Sequence, residues 1–87
     1  MIISKEEYLE DVFGALDRYA NHGIPTGSFL RAVLANDLFG AMGRADINSS
    51  TYLHDTVKLI YNQFPSNIWG SYEIVDNYIK NFKNKNL

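Results

Sequence analysis

The stretch Asn21-His22-Gly23-Ile24-Pro25-Thr26-Gly27-Ser28-Phe29-Leu30-Arg31-Ala32-Val33-Leu34-Ala35-Asn36-Asp37-Leu38 decides how this chain folds. It holds a helix stop and a helix start within a few residues. Gly23 is the stop, because glycine enters the left-handed backbone region without steric cost. Pro25 disfavours helix at Ile24, so the connector Ile24-Pro25-Thr26-Gly27 is extended. Thr26 is the expected N-cap of the next helix, with Ser28 as its competitor. Phe29, Leu30, Val33, Leu34, Leu38 and Ala41 then recur at helical spacing, which predicts a second helix to about Met42. Gly40 and Gly43 weaken its end, each by on the order of 1 kcal/mol relative to alanine, and a kink near Gly40 is compatible with the pattern.

Upstream of this stretch, Ser4 with Glu7 three residues later forms a capping box, and Ile3 before the cap can pack on Tyr8. Leu9, Val12, Phe13, Leu16, Tyr19 and Ala20 share one face of the first helix, which spans Ser4 to about Ala20. Downstream, Arg44 to Ser50 is turn-like, and Asn48, Ser49 or Ser50 is the expected cap of a third helix reaching about Phe64. Its stripe is Leu53, Val57, Ile60, Tyr61 and Phe64. Tyr52, Thr56 and Leu59 widen the apolar arc, which predicts a central helix covered on two sides. Ser66 to Gly70 is a loop whose Ile68 and Trp69 fold back as a plug. Ser71 caps a fourth helix with Ile74, Val75, Tyr78, Ile79 and Phe82 inward, and Lys83 to Leu87 form a polar, frayed tail. No strand-like alternation of useful length occurs. The expected fold is all-α, a compact bundle of four helices, the last one short, in a single domain over residues 1–87.

The totals narrow the function. A hydrophobic fraction of 46% in 87 residues supports one small core without staples. With no cysteine, disulfides and thiolate metal sites are excluded, which fits a reducing cytoplasm. The net charge of −2, with scattered basic residues, lacks the footprint of a nucleic-acid binder. The second helix carries only Arg31 and Arg44, too few for useful phosphate neutralisation. No apolar run approaches the roughly 20 residues of a bilayer span, and the start lacks a signal-peptide pattern. The expectation is a cytoplasmic protein with neither a membrane nor a nucleic acid as partner.

Residues 19–46, YANHGIPTGSFLRAVLANDLFGAMGRAD, together with Tyr61-Asn62 and Trp69-Gly70-Ser71, resemble a family of small proteins of tailed bacteriophages and prophages. The resemblance implies a phage accessory protein acting in the cytoplasm of the bacterial host. Proteins of that class often bind and redirect or inhibit a host component. The family supplies no catalytic or binding residues.

Four features could carry function. Thr26, Gly27 and Ser28 stand at a helix start, where free N–H groups attract anions, with Arg31 one turn in. This set could take a phosphorylated nucleotide or another small anion, or could serve only as cap and turn. A P-loop additionally needs a lysine and a preceding strand, which are missing. Asp37 falls among Val33, Leu34, Leu38 and Ala41 on a continuous helix. A carboxylate there needs a partner such as Arg44, caps a neighbouring helix, becomes exposed if the helix ends early, or meets a binding partner. Phe39 lies opposite the main stripe and invites a neighbour. Trp69 either plugs the bundle end or joins Tyr52, Tyr61, Ile68 and Tyr72 as a surface anchor.

No metal or cofactor is expected. Asp46 to Tyr52 imitates the start of a calcium loop but has Thr51 where the glycine belongs and Val57 where the closing glutamate belongs. His22 and His54 lack metal-ligand spacing, and no nucleophile motif supports an enzyme. The expected function is non-enzymatic binding of a host protein, with homo-oligomerisation through Phe39 and its apolar neighbours as a further expectation. A sequestering protein for a phosphorylated nucleotide is the alternative.

Overall fold

Six α-helices and one 3₁₀ turn form from these signals in the computed structural model, which describes residues 2–85. They are α1 (Lys5–His22), α2 (Ser28–Leu34), α3 (Leu38–Arg44), α4 (Ile47–Thr51), α5 (Leu53–Gln63), the 3₁₀ turn Ser66–Ile68, and α6 (Tyr72–Lys85). No strand occurs among the described residues. The all-α class holds, but the count of four becomes six. The expected second helix is divided into α2 and α3, and the expected third into α4 and α5.

α1 begins and ends as its sequence requires. The Ser4 hydroxyl accepts the Glu7 N–H at 3.2 Å, and Gly23 closes the helix at φ 64°. Tyr8, Val12, Leu16 and Tyr19 are buried along one face, while Phe13, expected inside, is half open. The break between α2 and α3 falls at Asn36, not at Gly40. Asn36 adopts φ 61°, and its N–H reaches the Val33 carbonyl at 3.0 Å. The Asp37 N–H reaches the Ala32 carbonyl at 2.9 Å, completing a left-handed helix terminus. Asp37 then caps α3, so stop and start share one residue.

Two expected caps are displaced. Gly27 is the N-cap of α2 and offers no side-chain acceptor. Thr26 stands one position too early, and its hydroxyl donates to the Gly27 carbonyl instead, at 3.3 Å. Asp46 caps α4 by accepting the Ser49 N–H at 2.8 Å. Asn48, Ser49 and Ser50 lie inside α4, and the first two fasten the chain's start: Asn48 Oδ1 accepts the Ile3 N–H at 2.9 Å, and Ser49 Oγ accepts the Tyr8 hydroxyl at 3.1 Å. Tyr52, between α4 and α5, donates to the Ile3 carbonyl at 2.5 Å.

The core runs from Tyr8 through Leu16 and Tyr19 to Leu34, Ile60, Ile68 and Val75. Ile68 is the plug that its loop suggested. The Tyr19 hydroxyl, fully enclosed, donates to the Ile68 carbonyl at 2.7 Å, and desolvation pushes its phenol pKa well above the ordinary value. Thr56 is buried and donates back to the Tyr52 carbonyl at 2.9 Å. No buried side-chain polar atom among the described residues lacks a partner. Ser71 caps α6 by accepting the Ile74 N–H at 3.1 Å. α6 continues to Lys85, beyond the expected end of its apolar stripe, so residues 83–85 are helical; the last two residues of the expected frayed tail lie outside the described residues. No helix of the described residues is long and apolar enough to cross a membrane.

Candidate functional site

The short helix α3 leaves one of its sides without cover. Because the chain turns at Asn36 and restarts at Asp37, α3 does not continue the line of α2. Leu38 and Ala41 face α5 across a groove of about 180 Å³, half open to solvent. Val33, Leu53, Val57, Ile60, Tyr61 and Trp69 complete its apolar wall, and Asn36 and Asp37 mark its polar end. Leu38 is 59% exposed and Tyr61 72% exposed, while Met42 and Val57 are about half open. Phe39, the next residue along α3, is 89% exposed. Trp69 is half-buried at the groove's far wall, its indole N–H donating to the Phe64 carbonyl at 3.1 Å and its ring 6.0 Å from that of Tyr61. It is therefore both plug and lining.

α5 is not the helix covered on two sides that its wide apolar arc suggested. Thr56 and Ile60 are buried, but Val57 and Tyr61 on the flank look into the groove. Tyr52 and Tyr72 are half-buried and Ile68 fully so; of the aromatic and apolar set expected at the surface, Tyr61 is the member that is open.

A polar cluster backs the same α3. Asp37 Oδ1 accepts the Gly40 N–H at 2.9 Å, and Oδ2 accepts the Tyr72 hydroxyl at 2.6 Å. Both bonds favour the anion, the Tyr72 bond most, and hold the Asp37 carboxyl below the usual range. The same bond pushes the Tyr72 phenol up. Arg44 does not form the expected ion pair with Asp37. Its Nη1 donates to the Gly40 carbonyl at 3.0 Å, and from there its charge adds a smaller favourable contribution at Asp37. Arg31 spans from α2 to α6, donating from both terminal nitrogens to Asp76, with Nη2 to Oδ2 at 3.2 Å. Its guanidinium carbon sits 4.9 Å above the Tyr72 ring.

The structure thus brings together two groups that sequence spacing kept apart. Ser28, Arg31, Asp37, Arg44 and Tyr72 line one polar recess. In it two guanidiniums already have carboxylate or carbonyl partners, and Asp37 and Asp76 supply negative charge against any anion. Thr26 and Gly27 are not among the residues of this recess, and α2 has only seven residues. The arrangement ties α2, α3 and α6 into one frame, with Arg31 engaged by Asp76 and Arg44 by the Gly40 carbonyl.

The groove residues Val57 and Tyr61 escaped the sequence reading as a site because they share the stripe of Ile60. Among the described residues no cluster of three or more metal-ligating side chains occurs. No family model, no curated protein and no solved structure matches the chain.

Proposed function

We propose that this protein is a non-enzymatic binding module, a phage accessory protein that acts on a host protein in the bacterial cytoplasm through the face made by α3 and α5. The observation that carries the reading is Phe39, a large aromatic 89% exposed beside an apolar groove. Leaving such a ring in water forgoes roughly 1.5–3 kcal/mol that burial on a partner would recover. Aromatic anchors of this kind dominate binding energy when they enter a desolvated pocket. The host context rests on the sequence resemblance. Leu38, Tyr61 and Trp69, which belong to the resembling segments, line the groove, and Phe39, in the same segment, projects from α3 beside it.

Affinity capture from bacterial lysate tests the proposal with three baits: the wild type, Phe39→Asp, and Ile24→Asp as a control at an exposed apolar residue of the connector. The wild type and Ile24→Asp should each retain one host protein in stoichiometric amount, and Phe39→Asp should lose it. Failure of the wild type to retain such a protein, or its undiminished retention by Phe39→Asp, would remove the proposal.

A further inference from the structure

We infer that the groove between α3 and α5 is a binding site for a small aromatic amine, whose single ring lies against Tyr61 and Trp69 with its ammonium group at the Asp37 end. The inference goes beyond the docking of a host protein: Phe39, on which that reading stands, projects outside the groove and does not line it. Size sets the class of ligand. The groove measures about 180 Å³. An apolar cavity of about 150 Å³ takes up a benzene ring, whereas pockets for drug-sized molecules run to roughly 300–1,000 Å³. One ring with a short substituent fits, and a nucleotide does not. The walls suit an aromatic body. Val33, Leu38, Val57 and Ile60 are aliphatic, and the Tyr61 and Trp69 rings stand 6.0 Å apart, tilted by 45°.

Charge sets the substituent. Asp37 is the one ionised residue among those lining the groove, whereas Arg31 and Arg44 line the polar recess and not the groove. A carboxylate offers about four lone-pair positions, and the Gly40 N–H and the Tyr72 hydroxyl occupy one on each oxygen. Each oxygen therefore has room to accept a further donor. Asn36 adds a carboxamide at the same end. An ammonium group matches this end: it brings three donors and a positive charge, and the neighbouring aromatic faces attract a cation as well. A carboxylate or phosphate substituent would meet like charge. The groove is half open to solvent. The ring is covered while the ammonium stays at the wet rim, which avoids the large cost of burying a charge.

Titration followed by proton–nitrogen correlation NMR at neutral pH tests this with three one-ring probes: benzylamine, benzyl alcohol and benzoate. Trp69 is the only tryptophan of the chain, so its indole N–H signal reports on the groove. Benzylamine should give saturable shifts at that indole and at the amides of Leu38, Ala41 and Val57. Benzyl alcohol should bind about tenfold more weakly, as expected when a charge-assisted hydrogen bond is replaced by a neutral one. Benzoate should give no shift. Asp37→Asn keeps a capping side chain and should bring benzylamine down to the affinity of benzyl alcohol while leaving the alcohol unchanged. Val57→Phe, which fills the groove from its exposed flank, should weaken both. Phe39→Asp should bind benzylamine as the wild type does, even where it loses the host protein. No saturable shift with benzylamine, equal affinity for the alcohol, a preference that survives Asp37→Asn, or undiminished binding by Val57→Phe would each overturn the inference. The three probes on the wild type decide it even where a variant does not fold. Retention of a host protein by a chain that ignores benzylamine would overturn it while leaving the docking role of the face standing.

Discussion

Asp37 is the residue on which the geometry of the site turns. It is bound as an anion by the Tyr72 hydroxyl and the Gly40 N–H, and its carboxyl therefore titrates below its ordinary value. Between that lowered value and the unfolded value near 3.9, the unfolded chain binds more protons than the folded one. The stabilisation is complete above the unfolded value and is lost as pH falls through the folded value. The melting temperature of the wild type should therefore drop more steeply than that of Asp37→Asn between about pH 5 and pH 2. Parallel curves would show that the carboxylate is not preferentially held by the fold. Gly40 is constrained by the same residue. A Cβ there would stand 2.1 Å from Asp37 Oδ2 and 3.0 Å from Arg44 Nη1. Gly40→Ala should consequently lower the melting temperature, against the gain of about 1 kcal/mol that alanine ordinarily brings to a helix interior. Gly43, in the same helix, has no neighbouring atom within 4 Å of its would-be Cβ. Gly43→Ala should stabilise by roughly 0.5–1 kcal/mol. Thermal melts of the two variants, side by side, separate steric conflict from propensity.

At the scale of elements, the divided second helix creates the groove, and Asn36 divides it. A β-branched residue in the left-handed region is strained by about 1–2 kcal/mol, whereas glycine meets no such cost. Asn36→Val should lower the urea midpoint accordingly and Asn36→Gly should not; equal midpoints would mean that the chain passes this point by another route. The break was hard to read in the sequence for a physical reason. Leu38 and Ala41 restart in a phase that continues the spacing of Val33 and Leu34, so apolar periodicity runs through the interruption unmarked. The legible signal was the pair Asn36-Asp37 itself, a favoured left-handed terminator followed by a favoured N-cap. Asp46, three residues before Ser49, carried the same kind of signal for α4. Ser4, Gly23 and Ser71 were readable because each stands alone at the edge of a periodic run. Within the site, Phe39 was legible since it lies opposite its helix's stripe. Val57 and Tyr61 were not, because a stripe shows which residues are apolar but not how much of it a neighbouring helix covers.

For the whole molecule, α1 is the member fastened at both of its ends. The backbone of Ile3, just before α1, is held by Asn48 and Tyr52. At the far end the Tyr78 hydroxyl donates to the Ala20 carbonyl, the Tyr19 and Tyr78 rings lie 5.2 Å apart, and Phe82 covers Gly23. This second junction makes two demands on residue 23. Its φ of 64° favours glycine, and a Cβ would stand 2.6 Å from the Phe82 ring. Gly23→Ala therefore combines a backbone strain of about 1–2 kcal/mol with displacement of that ring. Phe82→Ala removes the obstacle but not the strain. In a double-mutant cycle followed by urea unfolding, the pair should be less destabilised than the two single variants added together, with a coupling of about 0.5–3 kcal/mol. The strain remains in both backgrounds, so the coupling isolates the steric part. Additive costs would mean that the ring moves aside freely and that α6 is not clamped against the end of α1; a coupling of the expected sign would locate the closure of the fold at this contact.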